Sequence, residues 1–496
     1  MPDCHFTDFD ITIRGETPPF SVTCSYADRD AEGVFHSTAD DRYWRERLDL
    51  LGDVDNPPGQ AFIAEAGGEL FDELMQDEIR DLWIRARGDL EQGAVVGLRL
   101  RLAARPPAIA ALPWEALYDP HRGLPLAADA HTPLVRAERL YRQVGPSRPL
   151  EAELPLKLLL AVPDDPSRAI DAAAEIHAMQ RALADIGPAL LTISLLQGRF
   201  DVLDLREALL ATQADILHVI AHGQPDGILL WQDGEPRLVQ AAALRMTLQR
   251  TPAVKLALLN ACLAGQQADD RNFSAVGPQL LQAGLPAVIA MQSEIADEDA
   301  VTLARHLYAE LLHPPCPGSI DIALSNARSS LYALDPDSFA FGAPILWLNA
   351  SHGNIFTLPA HVQRSMERRH RRTSAPSSVQ AAPPKALPPD ETLDEAALAR
   401  WLSQNKAEID GLRSPSASAL WSILLQDWRR QWEALEGSLL QWRRMMADAG
   451  NVPAPALSAK RAEILDAQTA TAQLTTKLRQ LAANASNDDA PSLPTE

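Results

Sequence analysis

At 496 residues the chain exceeds one ordinary hydrophobic core, and two or three domains are expected. Its 66 acidic against 45 basic side chains leave a formal net charge of -21, which excludes a general nucleic-acid binder, because phosphate neutralisation needs a basic face. Four cysteines (Cys4, Cys24, Cys262, Cys316) are too few and too scattered for a disulfide framework, and none forms a Cys-x-x-Cys zinc pair. No apolar run reaches the length of about 18 residues that a spanning helix needs, and no positively charged leader precedes an apolar stretch, so a cytoplasmic, non-membrane chain is expected.

Residues 1–150 read as a small mixed α+β domain. Phe9, Ile11 and Ile13 alternate with polar neighbours, as do Phe20, Val22, Cys24 and Tyr26, and Gly15 and Pro18-Pro19 separate the two runs in the manner of a hairpin. Helical spacing follows near 43–51 and 70–87, and Leu98, Leu100 and Leu102 then mark a strand. The run Leu112-Pro113-Trp114-Glu115-Ala116-Leu117-Tyr118-Asp119-Pro120 reads as a short connecting segment, with Pro113 suited to a first helical turn. Gly145 to Pro149 resembles a junction.

Residues 151–359 alternate strand and helix regularly. Strands are expected at 156–162, 191–196, 216–221, 254–259, 287–291 and 344–348, with helices near 170–186, 203–212, 241–248, 273–283, 297–312 and 320–334. Two short runs around 228–231 and 237–239 meet at Asp233-Gly234, a strong hairpin signal. Six strands with intervening helices imply an α/β fold, a mainly parallel six-stranded sheet covered on both faces.

The remaining third changes character. Residues 360–390 form a linker, first basic (Arg364, Arg368, Arg369, Arg371, Arg372) and then rich in Pro, Ser and Ala. Residues 391–483 read as a helical hairpin or three-helix domain. Trp421, Leu425, Trp428, Trp432, Leu435, Leu439, Trp442 and Met446 keep the 4,3 alternation of a coiled-coil seam. A second run, Leu457, Ile464, Ala467, Leu474, Leu478 and Leu481, is interrupted by the polar Thr471. Residues 484–496 are polar and expected to be disordered.

The chemistry concentrates at two places. His218-Val219-Ile220-Ala221-His222-Gly223 and Leu258-Leu259-Asn260-Ala261-Cys262 each pass from a buried strand into a loop, the third and fourth strands of the block. That delivers His222 and Cys262 to the carboxyl edge of a sheet, where open α/β sheets put their sites. An imidazole beside a thiol can generate the thiolate that attacks, although a cysteine after a buried strand is more often a small hydrophobe. Small residues nearby (Gly223, Ala261, Ala264, Gly265) permit close backbone approach. His306 and His313 lie two helical turns apart, about 10 Å, too far for one zinc ion, so no metal and no cofactor are expected.

With those residues in view, the block at 112–350 resembles the CHAT domain, a caspase- and separase-like cysteine peptidase family. The likeness rests on His-x-x-x-His-Gly at 218–223, Leu-x-Asn-Ala-Cys at 258–262, Leu-Pro-Ala-Val-Ile-Ala-Met-Gln at 285–292 and the lead-in at 112–120. The resemblance implies a caspase-like fold, Cys262 as nucleophile, His222 as the imidazole that handles protons, and the backbone N–H groups of Gly223 and Cys262 as oxyanion donors. It also implies a regulated endopeptidase acting on a protein substrate, cleaving after arginine, in a bacterial signalling or defence setting. Asp297, then Glu294, are the pocket acids it suggests, with Asp164 and Asp165 behind them; Asp297 equally suits a helix N-cap. The helical tail, outside the resemblance, is expected to dock a regulatory protein or sibling subunit. The competing class is a non-catalytic scaffold whose tail recruits partners.

Overall fold

The computed structural model describes residues 6–137, 150–164, 172–184, 186–224, 226–262, 276–312, 316–349, 353–358 and Val362, with positions 406, 409, 428, 432, 435, 460, 464, 468, 471 and 475 of the tail. Residues 1–377 and 378–496 form two compact units. The basic run at 364–372, the linker after it, Asp165, Ala264, Gly265 and most of both tail seams lie outside the described residues.

The first unit opens with an antiparallel meander of β1 (Thr7–Arg14), β2 (Phe20–Tyr26) and β3 (Arg29–Phe35). Phe9, Ile11, Ile13, Phe20, Val22, Cys24 and Tyr26 are all buried, as their alternation requires. The third strand escapes the sequence pattern because Arg29, Asp30 and Glu32 outnumber its buried Ala31 and Phe35. After α1 (Arg42–Leu51), the single helix expected near 70–87 is two, α2 (Gln60–Leu74) and α3 (Asp77–Glu91), broken where Asp77 adopts a φ of 44°. Then come β4 (Leu98–Ala104), α4 (Pro107–Ala110), a 3-10 turn at Trp114–Ala116, the short strands β5 (Tyr118–Asp119) and β6 (Leu124–Pro125), a second 3-10 turn at Leu126–Ala128, and the short strands β7 (Leu134–Arg136) and β8 (Leu150–Glu151).

The alternating block follows the expected order closely. It comprises β9 (Leu156–Pro163), α5 (Ala172–Ala184), β10 (Leu191–Gly198), α6 (Val202–Thr212), β11 (Ile216–Gln224), the hairpin β12 (Gly227–Gln232) and β13 (Glu235–Gln240), and α7 (Ala241–Leu248). It continues with β14 (Leu256–Cys262), α8 (Val276–Leu281), β15 (Ala287–Met291), α9 (Asp297–Leu312), α10 (Ile320–Leu334), β16 (Pro344–Leu348) and β17 (Phe356–Thr357). Asp233 and Gly234, with φ of 53° and 83°, make the left-handed pair that the hairpin turn needs.

The strands lie in the order β10-β9-β11-β14-β15-β16-β7-β4-β1-β2-β3, with the β12–β13 hairpin attached to β11. The first five are mutually parallel, and β16 runs antiparallel to β15. The sheet does not stop at these six. Short as it is, β7 pairs with β16 on one side and β4 on the other, so the N-terminal strands extend the same sheet, and residue 150 is no boundary within it. A charge network reinforces the continuity. The buried Arg99 guanidinium pairs with Asp321 of α10 at 2.6 Å and with Asp8 of β1 at 2.8 Å.

Side-chain alternation divides the core between two faces. Ile216, Ile220, Leu256, Leu258 and Ile289 pack with Met179 of α5, Leu303 and Leu307 of α9, and Leu324 of α10. Leu217, Val219, Ala257, Leu259 and Val288 pack with Leu205 of α6, Leu244 of α7 and Leu280 of α8. At the amino ends of the strands, Asp215 accepts from the Lys157 N–H at 2.9 Å and pairs with the buried Lys255 ammonium, aligning β9, β11 and β14. Cys24 is a buried free thiol, and Cys316 is disulfide-bonded.

In the second unit every described position is helical. The Trp428 indole donates to Thr475 Oγ1 at 2.9 Å, and that hydroxyl donates to the Thr471 carbonyl at 2.9 Å. Thr471, the polar residue that interrupts the second seam, is fully buried and contributes its main-chain carbonyl to this pair of bonds. The Lys406 ammonium lies 4.6 Å from the Trp432 ring centre.

Two adjacent glycines of α2 test this packing. A Cβ on Gly67 would collide with the Ala116 carbonyl of the 3-10 turn, whereas one on Gly68 meets nothing within 4 Å. Gly67→Ala is expected to lose about 1–3 kcal/mol, and Gly68→Ala to gain about 0.4–1 kcal/mol, read by calorimetric unfolding.

Candidate active site

The register of two parallel strands organises the carboxyl edge. β11 and β14 pair from Ile216↔Leu256 to His222↔Cys262, so the histidine and cysteine positions stand opposite one another on adjacent strands. Neighbouring strands are about 4.8 Å apart, which brings the two backbones as close as a sheet permits. His222 is half-buried; of Cys262 the structure describes the main chain. The expected strand end at 221 shifts to Gln224, because Gly223 and Gln224 pair with Ile228 and Gly227 of the hairpin. That pairing fixes the chain just beyond the histidine.

Gly223 is buried and has no room for a side chain. A Cβ there would stand 2.9 Å from the Ala261 carbonyl oxygen and 3.1 Å from the Ala261 methyl. Glycine is thus required by the close approach of the two strands, one residue from the histidine and the cysteine.

His218, four residues earlier, is fully sequestered. Its Nδ1 lies 3.1 Å from the Tyr308 hydroxyl of α9, and its Nε2 has no partner among the described residues. Burial pushes its pKa down to about 3 and raises that of Tyr308. A neutral imidazole hydrogen-bonded to a helix is a structural group.

The residues before α9 carry the expected pocket acids. Glu294 and Asp297 are both exposed, and Asp297 is the first residue of the helix rather than its N-cap. Asp299, two residues on, was not anticipated. It is half-buried, and burial, then Asp335 and Glu298, raise its carboxyl pKa. The only sequence signal for it was its place in the acidic run 297–299. Asp164, ending β9, is exposed and lies 3.7 Å from Arg199.

The lead-in at 112–120 proves to be far more than a connector. Trp114, Glu115 and Asp119 are completely buried. Trp114 donates to the Ile109 carbonyl at 2.7 Å, and Asp119 receives Arg87 at 2.8 Å. Glu115 takes a bidentate contact from Arg136, at 3.0 and 2.7 Å, and a hydrogen bond from Gln292 Nε2 at 2.9 Å. Arg328 stands 4.0 Å from the same carboxylate, and burial pushes its guanidinium pKa down to about 10 against the pull of Glu115. Two stretches 177 residues apart, the lead-in and the strand ending in Met291-Gln292, are thereby joined directly.

With the geometry established, residues 64–358 match the family described as CHAT domain, well over half of the chain. The chain belongs to the CHAT-domain family. The match begins inside α2, in agreement with a sheet that continues past residue 150. No curated protein matches.

Among solved structures, the chain is similar to the arginine-specific cysteine proteinase gingipain R (RGPB), at 11% identity and TM-score 0.38, over 60% of this chain and 76% of that one. A secreted C11 cysteine protease from Bacteroides thetaiotaomicron, bound to an irreversible peptide inhibitor, shows 16% identity and TM-score 0.27, covering 38% and 59%. The separase–securin complex of Saccharomyces cerevisiae shows 11% identity and TM-score 0.37, covering 68% of this chain and 30% of that one. None supplies a residue assignment here. Among the described residues no group of three or more His, Cys, Asp or Glu side chains converges as a metal site, and no helix is long and apolar enough to cross a membrane.

Two outcomes follow from this geometry. Because His218 takes up a proton near pH 6.5 when unfolded but only near about 3 when folded, stability is lost as pH falls through that window. His218→Gln is expected to flatten that part of the stability–pH curve. Gly223→Ala must spread β11 from β14, and the rate of Cys262 alkylation by a peptide electrophile is expected to fall about 10²-fold.

Proposed function

We propose that the chain is a regulated cysteine endopeptidase in which Cys262 attacks the scissile carbonyl of a protein substrate. The observation that carries this reading is the register pairing of His222 with Cys262 at the carboxyl edge of a parallel sheet, in a chain of this family. His222 takes the thiol proton and returns it to the leaving amine, and water then hydrolyses the thioester. The N–H groups of Gly223 and Cys262 serve the oxyanion, for which a side-chain-free Gly223 is suited. The acids at Glu294, Asp297 and Asp299 favour a basic residue, arginine foremost, on the amino side of the cleaved bond. The C-terminal helices dock a regulator or sibling subunit, and the enzyme serves a bacterial signalling or defence pathway.

A peptide electrophile ending in arginine tests the chemistry. Intact-mass analysis is expected to find one adduct, located at Cys262, absent in Cys262→Ala and formed about 10²–10⁴-fold more slowly in His222→Ala. Absence of labelling at Cys262 in the resting and every activated form would favour the non-catalytic scaffold instead.

A further inference from the structure

We infer that Gln292 is a positioning residue for substrate recognition: through Glu115 it fixes where the loop 293–296 leaves the sheet beside Cys262. This rests on the peptidase reading and names the group that holds its specificity loop in place.

Gln292 is held by three hydrogen bonds. Its main-chain N–H donates to the Ala343 carbonyl at 2.8 Å, while its side-chain amide donates to the Gly342 carbonyl at 2.6 Å and to Glu115 Oε2 at 2.9 Å. The acceptor Glu115 is itself immobilised, since Arg136 occupies both of its oxygens and the residue is completely buried. A charge-assisted hydrogen bond onto a clamped carboxylate is a stiff restraint.

The place of this restraint gives it a role. β14 and β15 pair as far as Leu259↔Ala290, three residues before Cys262 on one strand and three before Ser293 on the other. The loop that follows Gln292 therefore leaves the sheet at the same carboxyl edge as Cys262. Glu294 lies in that loop, and Asp297 and Asp299 begin the helix to which it leads. On its other flank the loop is close to the end of α1, since a Cβ on Gly52 would stand 3.4 Å from Ser293 Cβ. Nothing about Gln292 itself is reactive: its carboxamide carries no charge, and both its donors are spent inside the protein. Its effect on substrate is wholly through the loop.

The test uses Gln292→Met in the full chain, which preserves volume and removes both donors without leaving a buried arginine unpaired, as Glu115→Gln would. Amide hydrogen exchange across 293–297 is expected to accelerate about tenfold, with β11 and β14 unchanged. The labelling rate of Cys262 by the arginyl peptide electrophile, divided by its rate with iodoacetamide, is expected to fall about tenfold, because binding is impaired while the thiol is not. Unchanged exchange across 293–297 would overturn the inference, as would faster exchange with an unchanged rate ratio. Failure of the wild type to label with the peptide reagent while iodoacetamide modifies Cys262 would remove the peptidase reading and the substrate role of the loop together. The exchange measurement would in that case still report separately whether Gln292 holds the loop.

Discussion

A carboxylate with no access to water, Glu115, is the constraint on which the first unit depends. Burying such a charge costs several kcal/mol unless it is paired and its lone pairs are filled, and removal of one partner leaves the other stranded. Here the bidentate Arg136, the nearby Arg328 and the Gln292 amide meet that requirement together. The groups come from the lead-in turn, β7, α10 and the end of β15. Burial, and in lesser part the neighbouring Arg136, holds Arg328 less basic than usual against the pull of Glu115, and its Nη2 donates to the Pro344 carbonyl at 2.6 Å. A family signature that looks like connecting sequence is thus a structural joint between the two halves of one sheet.

The sheet in turn has two functionally different edges. At the amino edge, Asp215 and Lys255 set the heights of β9, β11 and β14 by pairing side chains and main chains. Every register position beyond that point follows, because a parallel ladder admits no local slip without turning a buried face to the wrong layer. The pairing of His222 with Cys262 at the far end is therefore fixed some six residues away from where it is used. At the carboxyl edge the restraints are different: the hairpin turn after Gly223, the close contact of Gly223 with Ala261, and the Gln292 clasp.

Much of this was legible in the sequence. Each strand and helix expected in the 151–359 block falls within a few residues of its place, since apolar runs of strand length separated by helical spacing are local signals, whereas the two-residue β17 was not expected. Asp233-Gly234 announced its turn for the same reason. The misses share a cause. β3 hides its two buried residues among charges, Asp77 breaks a helix through a backbone conformation that composition does not reveal, and Thr471 interrupts a seam although it is fully buried, its main-chain carbonyl accepting from the Thr475 hydroxyl to which Trp428 donates. In the site, Glu294 and Asp297 were visible as acids, but the half-buried Asp299 is distinguished only by its surroundings.

By itself, then, the sequence determined the α/β class, the order of the elements in the alternating block, and the delivery of one histidine and one cysteine to the ends of consecutive strands. These depend on periodicity and breaker residues within a dozen positions of one another. Only the tertiary structure decided that β11 and β14 are neighbours in register, that the N-terminal strands extend the same sheet through β7, and that Glu115 holds Gln292 across 177 residues. Strand pairing and buried charge compensation are long-range: they depend on which surfaces the whole chain brings together, and no local pattern records that choice.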